Sequence, residues 1–491
     1  MYDVVIIGGG IIGVTVAREL SKYKLKVILL EKSTELADVG SASKANSGII
    51  HAGHDCEIGT LKAKLNVEGN RLYRTLVKEL SIPYRQNGSF VLSFSEEQNN
   101  LLQNLVKKAE ANGVPDVRIL DKEEVLGMEK NVNKNVQKAL YAPSGGIISP
   151  YEAVYAFAEN AYINGVEFQF ETEITGIEKA ENAASLRSVC LKGNPLYKIK
   201  TTKGEIFTKT VVNAAGVYSD VMNNFVSEKK YAIKARKGEY VLYDKSTKGF
   251  VNSTIFLPPG KYGKGVLVTP TVHHNLLVGP SAEYIDDKDS VKTHAETLKM
   301  VMETGTISMQ ILPNPQIITS FTGLRSSIVD FYDFIIEEAE GAKGFVNALG
   351  INSPGLTAAP AIAERIVCII TDLLQPKLNT EFIKIREDMN LFAEQTRENQ
   401  INMIAKDKKY GKIVCRCETV TEADIINSIR RPLGATTVDG VKRRTRAGMG
   451  RCQGGFCITK VMEILSKELE IDIDEITKFG GNSYILERCG K

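Results

Sequence analysis

The N-terminal stretch constrains the fold more than any other part of the chain. Residues 4–7 form an apolar run that predicts a buried strand, and the turn that follows carries Gly8, Gly10 and Gly13. Residues 11–20 have the apolar spacing of a helix, and a second apolar strand ends on Glu31, directly before Lys32. Glycines in such a turn let the backbone approach a pyrophosphate, and an acid after the second strand can accept a hydrogen bond from a ribose hydroxyl. The stretch therefore predicts a dinucleotide site, and the acid disfavours the 2′-phosphate of NADP.

Length and charge exclude several classes of protein. A chain of 491 residues predicts two or three domains, and a net charge of +3 argues against nucleic-acid binding as the main role. The first strand begins too early to leave room for a signal peptide. The most apolar late helix, residues 358–374, is interrupted by charged residues, so no membrane span is predicted. We expect a cytoplasmic protein whose only route to a membrane is through partners.

The order of patterns along the chain predicts an α/β fold with a second, antiparallel layer. Small residues return after a strand at 213–216 and again at 350–357, where a helix opens, and alternating strands dominate residues 231–316. We predict a Rossmann-like dinucleotide-binding domain with an inserted antiparallel-sheet (α+β) substrate domain and a small, mostly helical C-terminal domain. The expected bounds are 1–85, 145–230 and 318–375 for the first domain, 86–144 and 231–317 for the second, 376–410 for a linker, and 411–491 for the third.

Four of the eight cysteines lie in the C-terminal part at a spacing typical of metal ligands. They form a C-x-C pair and a C-x4-C pair: Cys415, Cys417, Cys452 and Cys457. Four thiolates suit either a tetrahedral zinc ion or an iron–sulfur cluster, and structural zinc remains the alternative at this point. The other four have no partners at ligand spacing and are predicted to be ordinary thiols: Cys56, Cys190, Cys368 and Cys489.

The ordered motifs of the first 375 residues resemble the D-amino-acid oxidase superfamily of FAD enzymes. The residues that carry this resemblance are the glycine fingerprint with Glu31, His51-Ala-Gly53, Asn213-Ala-Ala-Gly216, Gly323-Leu-Arg325 and the Gly350–Thr357 stretch. Within the superfamily, the chain is most similar to bacterial FAD-dependent glycerol-3-phosphate dehydrogenases of the anaerobic type, and nearly as similar to L-2-hydroxyglutarate dehydrogenases. The resemblance implies FAD rather than NAD. It also implies further cofactor contacts at Lys32, Asn46, Ser47, Gly48, Ile174, Ala215, Gly216, Gly350, Asn352, Gly355, Leu356 and Thr357.

Residues 412–460 resemble the bacterioferritin-associated-ferredoxin type of domain, which implies a 2Fe-2S cluster on the four cysteines. A flavin accepts two electrons as a hydride and a cluster accepts one at a time, so their combination favours a dehydrogenase that passes electrons to partner subunits. Five basic residues lie near the cluster ligands: Lys442, Arg443, Arg444, Arg446 and Arg451. They can guide an acidic electron-accepting partner, form a solvated face, or compensate the charge of the cluster.

Arg325 is the predicted anchor for a small anionic substrate, since an arginine fork matches a carboxylate or phosphate and the resemblance places it over the flavin. Lys237 is a second candidate for the same anion. Oxidation of a secondary alcohol needs a base for the hydroxyl proton, and we assign His51 first, His54 second and His273 third. By the same resemblance, His51 occupies a position where some relatives carry a histidine beside, or bonded to, the isoalloxazine. His54-Asp55 replaces an arginine-containing run of the anaerobic enzymes.

The predicted reaction is oxidation of sn-glycerol 3-phosphate to dihydroxyacetone phosphate, with electrons leaving through the cluster to a partner or quinone. Three alternatives stay open. The substrate can be L-2-hydroxyglutarate, the chain can be an electron-transfer subunit without an alcohol substrate, or it can be an amine dehydrogenase of the same superfamily.

Overall fold

The computed structural model describes residues 1–38, 40–179, 197–258 and 265–487. The strands, in chain order, are β1 Tyr2–Ile7, β2 Val27–Leu30, β3 Ile49–Ile50, β4 Tyr84–Arg85, β5 Ser89–Ser93, β6 Arg118–Asp121, β7 Lys138–Ala142, β8 Gly146–Ile148, β9 Glu167–Gln169, β10 Ile174–Lys179, β11 Tyr197–Thr201, β12 Gly204–Asn213, β13 Ile233–Tyr243, β14 Thr254–Phe256, β15 Leu267–Pro270, β16 Leu276–Gly279, β17 Glu283–Ile285, β18 Ile317–Ile328, β19 Glu338–Ala339, β20 Ala342–Asn347, β21 Ile413–Cys415 and β22 Val420–Thr421. The helices are α1 Ile11–Leu20, α2 Leu61–Glu79, α3 Glu96–Ala111, α4 Lys122–Met128, α5 Pro150–Ile163, α6 Ser219–Val226, α7 Ala295–Ser308, α8 Gly355–Leu374, α9 Arg397–Lys406, α10 Glu422–Arg430, α11 Val438–Thr445 and α12 Ile458–Leu469.

The first sheet is the predicted α/β layer. Its strands run in the order β10-β11-β12-β1-β2-β9, with β20 beside β12, and β1 is parallel to both β2 and β12. Val4 and Ile6 pack into one apolar cluster with α1, α5 and α8, whereas Val5 and Ile7 pack into a second cluster on the opposite face. An apolar run without alternation is what a strand covered on both faces requires. The N-terminal strand, turn and helix therefore form as the sequence predicted.

The second sheet is mostly antiparallel and runs β17-β13-β16-β15-β14-β5-β7-β6, with β18 paired to β13. One expected domain boundary is wrong here. Residues 318–328 were assigned to the first domain, but they belong to β18, which pairs with β13 from Ile233↔Ile328 to Tyr243↔Ile317. The hydrogen bonds that β18 forms along the whole length of β13 keep it in the second sheet, so the chain returns to the first sheet only after residue 328.

The C-terminal residues form a small domain with its own apolar core, built from α10, α11 and α12 around residues such as Ile425, Val441 and Leu465. The preceding segment, predicted to be a linker over residues 376–410, has no regular helix or strand up to residue 391 and then contains α9. It is held against both of its neighbours. Arg386 Nε lies 2.7 Å from Glu159 Oε2 of α5, and the Phe392 amide donates to Asp424 Oδ1 of α10 at 3.1 Å. This segment therefore straps the small domain to the first one.

The length and hydropathy of the helices bear on whether the chain can cross a membrane. Within the part of the chain that the structure describes, no helix is long and apolar enough to cross a bilayer.

Candidate active site

A cavity of about 1190 Å³ opens between the two sheets and is lined by residues of both. The turn after β1 and the end of β2 form one part of its wall, and β18 with the Gly355 end of α8 forms another. Pockets for small ligands typically measure about 300–1,000 Å³, so this cavity has room for a dinucleotide together with a small substrate.

The glycine turn forms the phosphate-binding end of the cavity. Gly8 has a φ of +106°, and a Cβ atom there would lie 2.5 Å from the carbonyl oxygen of Ala214. Gly8 and Gly10 line the cavity, whereas Gly13 lies behind them, where a Cβ atom would lie only 1.9 Å from the Gly8 carbonyl oxygen. Only glycine allows α1 to pack this closely on the turn, and the packing brings the helix N-terminus to the cavity wall. The arrangement fits a pyrophosphate.

Glu31 is fixed at the end of β2. Its Oε2 accepts a hydrogen bond from the Gly9 amide at 2.7 Å, and its Oε1 accepts one from the Ser33 amide at 2.9 Å. Both Glu31 and Lys32 line the cavity. A carboxylate oxygen accepts more than one hydrogen bond, so Glu31 retains capacity for a ribose hydroxyl.

Most of the other residues expected to contact the cofactor also line the cavity: Asn46, Ser47, Ile174, Ala215, Gly216, Asn352, Gly355 and Leu356. Gly48, Gly350 and Thr357 are not part of the wall. Thr357 instead supports a neighbour, because its Oγ1 accepts a hydrogen bond from the His51 amide at 2.9 Å. A direct contact of these three residues with the cofactor stays a prediction.

His51 follows β3 and lines the cavity. Its Nε2 lies 3.4 Å from the hydroxyl oxygen of Ser353, and its ring centroid lies 5.9 Å from that of Phe256. The backbone hydrogen bond to Thr357 ties His51 to the N-terminal turn of α8. The structure thus places a titratable ring in the cavity close to the second glycine-rich helix start.

Arg325 also lines the cavity, on β18. Its guanidinium donates to three carbonyl oxygens, from Nε to Arg236 at 3.2 Å and from Nη2 to Lys237 at 3.1 Å and Ser281 at 2.8 Å. These acceptors are neutral, so they orient the guanidinium without cancelling its charge. Burial lowers the pKa of Arg325 below its usual value, yet an arginine stays protonated at neutral pH.

Lys237 is a correction to the sequence prediction. Successive residues of a strand point to opposite faces of a sheet, and in β13 it is Arg236 that lines the cavity. Lys237 is 2% exposed, and its Nζ lies 2.8 Å from Glu239 Oε1 and 2.9 Å from His294 Nδ1. The buried carboxylate fixes Lys237 on the other face, away from the substrate cavity.

Two of the three histidines proposed as the base are also absent from the wall of this cavity. His54 is buried, with its ring edge-on to Phe256 at 6.5 Å between centroids. His273 lies against a second, smaller cavity, where its Nε2 is 2.6 Å from Glu152 Oε1. His51 is therefore the only one of the three predicted bases that the structure places in the main cavity.

The cavity residues that were missed from the sequence include Lys62, Arg236 and Ser353. Lys62 Nζ donates to Asn352 Oδ1 at 2.9 Å and to the Tyr332 carbonyl at 2.8 Å. Ser353 belongs to the Gly350–Thr357 stretch and was within reach of sequence reasoning. Lys62 and Arg236 were not, because their approach depends on how α2 and β13 pack against distant parts of the chain.

The four C-terminal cysteines fall into two pairs. The Sγ atoms of Cys417 and Cys452 are 3.7 Å apart, and the Cys457 thiol hydrogen-bonds to Cys415, lowering the pKa of that thiol to about 6. Two thiolates for each of two iron atoms is the ligation of a 2Fe-2S cluster, and the donor set fits it. Among the described residues, no three His, Cys, Asp or Glu side chains form a group that could hold one metal ion. Of the other four cysteines, Cys56 is buried and Cys368 is exposed on α8, whereas Cys190 and Cys489 lie outside the described residues.

The basic residues near the cysteines do not form the solvated face or the partner-guiding surface that the sequence suggested. Arg443, Arg444 and Arg446 are buried. Arg443 and Arg444 bind acids of the first domain, whereas Arg446 binds an acid within the small domain. Arg444 Nη1 lies 2.7 Å from Glu35 Oε2, Arg443 Nη1 lies 3.3 Å from Asp38 Oδ1, and Arg446 Nε lies 2.8 Å from Glu418 Oε2. Only Arg451 is largely exposed.

A glycine-lined cradle between two sheets, with a histidine and an arginine in the same cavity, is the arrangement expected of a dinucleotide-dependent oxidoreductase. Residues 3–369 match the family model described as FAD dependent oxidoreductase, and residues 413–467 match that of the BFD-like [2Fe-2S] binding domain. The chain belongs to the FAD dependent oxidoreductase family, with a BFD-like domain at its C-terminal end. Its cofactors are FAD and a 2Fe-2S cluster, which replaces the zinc alternative.

Relatives of known name agree with this assignment. The chain is 47% identical to a glycerol 3-phosphate dehydrogenase of Caloramator mitchellensis over 99% of this chain and 98% of that protein. The FAD-bound structure of L-alpha-glycerophosphate oxidase from Mycoplasma pneumoniae superposes with a TM-score of 0.72 at 32% identity, covering 78% of this chain and 98% of the other. Human mitochondrial L-2-hydroxyglutarate dehydrogenase is 32% identical over 57% of this chain and 61% of its own length.

The paired cysteines give a direct test of the cluster. Replacing Cys417 with serine is expected to remove most of the bound iron, because a hydroxyl is a poor substitute for a thiolate ligand. Iron and sulfide analysis, with electron paramagnetic resonance after dithionite reduction, measures the loss. Cys368→Ser is the matched control, since Cys368 is an exposed free thiol on α8 and its replacement is expected to leave iron content unchanged. Full iron content in Cys417→Ser would contradict the assigned ligand.

Proposed function

We propose that the chain oxidises sn-glycerol 3-phosphate to dihydroxyacetone phosphate and delivers the electrons through its C-terminal domain to a partner. The observation that carries this proposal is that His51 and Arg325 line the same cavity as the dinucleotide cradle. The named relatives that cover nearly all of this chain, or three quarters of it, act on this phosphate ester by name. The cavity lies between two separate sheets, and this supports a division between a cofactor layer and a substrate layer.

Arg325 binds the phosphate of the substrate in this proposal. Its guanidinium is oriented by three neutral carbonyl groups and keeps its charge, so an anion entering the cavity gains a charge-assisted hydrogen bond there. Hydrogen bonds to charged groups typically contribute about 1.5–3 kcal/mol, enough to hold a small substrate in one orientation.

His51 accepts the proton of the secondary hydroxyl group. A neutral imidazole is a suitable base near neutral pH, and the Ser353 hydroxyl, 3.4 Å from Nε2, orients the ring. Bound FAD supplies the acceptor for the hydride from the same carbon, and the 2Fe-2S cluster supplies a one-electron acceptor. Loss of the hydroxyl proton to His51 and of the hydride to FAD together converts the secondary alcohol into the ketone product.

The surface around the cysteines suits an electron-accepting protein. Cys417 is exposed, and the side chain of Phe456, next to the ligand Cys457, is 93% exposed. An exposed aromatic ring beside a redox centre offers a contact for a partner subunit.

The first test is a visible absorption spectrum of the purified protein, recorded without oxygen before and after adding substrate. Glycerol 3-phosphate is expected to bleach the flavin band over a background of iron–sulfur absorption. L-2-hydroxyglutarate is added to a second sample, and a small-amine panel to a third. His51→Gln serves as the matched variant, with the FAD content of both proteins measured first.

Each outcome decides between named functions. Bleaching by the hydroxy acid alone would replace the phosphate ester with the carboxylate substrate, and bleaching by an amine alone would indicate an amine dehydrogenase. If none of these compounds bleaches the flavin, the chain acts as an electron-transfer subunit, and a reduced partner should then bleach it quickly.

A further inference from the structure

Three side chains on neighbouring strands of the second sheet lie in a row in the cavity wall. Arg236 of β13 lies directly opposite Arg325 of β18 in the antiparallel register, and directly opposite Tyr284 of β17 on its other side. Residues opposite each other on neighbouring strands project to the same face of a sheet. All three line the cavity, and the Arg236 guanidinium carbon lies 5.7 Å from the centre of the Tyr284 ring.

The two guanidinium groups are near neighbours of like charge. Arg325 is held by neutral carbonyl groups, one of them the carbonyl of Arg236 itself at 3.2 Å. After the effect of burial, the charge of Arg236 is one of the influences that lower the pKa of Arg325. Like charges directly opposite each other on adjacent strands are destabilising. A bound ligand with more than one negative charge is attracted to both guanidinium groups, so this part of the cavity wall favours such a ligand.

We propose that Arg236 is a second substrate-binding residue, which selects a phosphate ester over a carboxylate by binding the extra charge of the dianion. The inference rests on the proposed function, since it names what distinguishes its substrate. A phosphate monoester near pH 7 carries about 1.5–2 negative charges and three strong acceptor oxygens. A carboxylate carries one charge and two oxygens, which a single arginine fork satisfies.

Lys237, the neighbour of Arg236, cannot take this role. Its side chain is on the other face of β13 and is paired with Glu239 at 2.8 Å. The strand register decides which basic residues of β13 and β18 face the cavity. These residues are Arg236 and Arg325.

The test compares Arg236→Gln and Arg236→Lys with the unmodified holoenzyme. Inorganic phosphate is titrated against the flavin spectrum, and KM and kcat for glycerol 3-phosphate are measured between pH 5.5 and 8. In Arg236→Gln, the Kd for phosphate and the KM are each expected to rise about tenfold or more, while kcat changes less than about threefold, because the lost contact is one of binding. Arg236→Lys keeps the charge but not the fork and should fall between the two.

The pH dependence gives a signature that a merely structural role would not produce. The second pKa of a phosphate monoester is about 6, so the KM of the unmodified enzyme should rise as the pH falls through that value and the dianion takes up a proton. This rise should flatten in Arg236→Gln, since the residue that recognises the second charge is gone.

Lys234→Gln is the matched control. Lys234 lies two residues earlier on the same strand and points to the same face, but it is exposed, pairs with Asp286 at 3.6 Å, and is not part of the cavity wall. Unchanged Kd and KM in Arg236→Gln, or equal changes in the control, would overturn the inference. If the unmodified enzyme binds phosphate through Arg236 but does not oxidise glycerol 3-phosphate, the proposed function fails alone. If it oxidises the ester and Arg236→Gln has the same KM and pH profile, this inference fails alone.

Discussion

Replacing Glu35 with alanine is expected to release the C-terminal domain from the rest of the protein. Glu35 is 3% exposed, and its Oε1 accepts hydrogen bonds from the amides of Thr436 at 2.9 Å and Thr437 at 3.0 Å. Its Oε2 lies 2.7 Å from Nη1 of Arg444. Removing one member of a buried ion pair leaves the other charge buried and uncompensated, which typically costs about 3–5 kcal/mol.

Limited proteolysis and small-angle X-ray scattering measure the release. We expect faster cleavage within the strap, residues 376–410, and a larger radius of gyration. Glu303→Ala is the control, because Glu303 belongs to an ion pair with Lys299 in which both side chains are more than half exposed. Exposed pairs contribute about 0–1 kcal/mol, so this variant should behave like the unmodified protein. A compact, protease-resistant Glu35→Ala protein would show that the Glu35 contacts are not what holds the domain.

The same carboxylate predicts how docking depends on pH. Burial alone would raise the pKa of Glu35, but the guanidinium groups of Arg444 and Arg443 and the hydrogen bonds hold it below its usual value. A group with a lowered pKa in the folded state contributes stability above its unfolded pKa and loses it as the pH falls through the folded pKa. The docked domain should therefore loosen only in acid, once the pH falls below the ordinary pKa of a glutamate, and Glu35→Gln should remove part of that dependence.

Replacing Gly13 with alanine is expected to give a protein without FAD. A Cβ atom at this position would lie 1.9 Å from the carbonyl oxygen of Gly8, and backbone cannot yield as the end of a flexible side chain can. The added methyl group must push α1 away from the turn, which removes the helix N-terminus from the pyrophosphate. Flavin absorbance of the purified protein, measured against its concentration, reports the loss.

Gly127→Ala is the matched control for Gly13→Ala. Gly127 lies in α4, and a Cβ atom there meets no other heavy atom within 4 Å. The same exchange in an open helical position favours the helix by roughly 0.5–1 kcal/mol, so this variant should keep its FAD and gain slightly in stability. Normal flavin content in Gly13→Ala would mean that α1 tolerates a shift, and the close packing would not be required for binding.

Local patterns were sufficient to predict a dinucleotide-binding turn and a group of four cysteine ligands, and the family resemblances then identified the cofactors as FAD and a 2Fe-2S cluster. The strand, glycine turn and helix at residues 2–20 form from neighbours in sequence, so their identity was readable without the rest of the fold. The spacing of the four cysteines likewise follows from the short turns that hold them. His51 and Arg325 came from the resemblance to a family, and both line the cavity.

The errors at Lys237 and at residues 318–328 share one cause. Which of two adjacent residues faces a cavity depends on strand register, and the register of β13 is set by β18, far away along the chain. A register shift of one residue exchanges the two faces of a strand. The sequence of β13 alone therefore cannot tell that Arg236, and not Lys237, faces the cavity. The buried arginines of α11 were assigned to a charged surface for a similar reason. The sequence of a basic helix is the same whether its basic side chains face solvent or pair with acids of another domain.

The stretch from Glu31 to Asn46 serves two binding surfaces at once. Glu31 lines the cavity, and Glu35 binds Arg444 of the C-terminal domain. Further along, the Oγ of Ser43 accepts a hydrogen bond from the Ile11 amide at 2.9 Å. Coupling between two binding events is reciprocal, so any free energy that domain docking contributes to ordering this backbone also tightens the hold on the flavin by the same factor. The small domain then acts on the flavin as an effector that is covalently attached, and its influence requires no contact with the flavin at all.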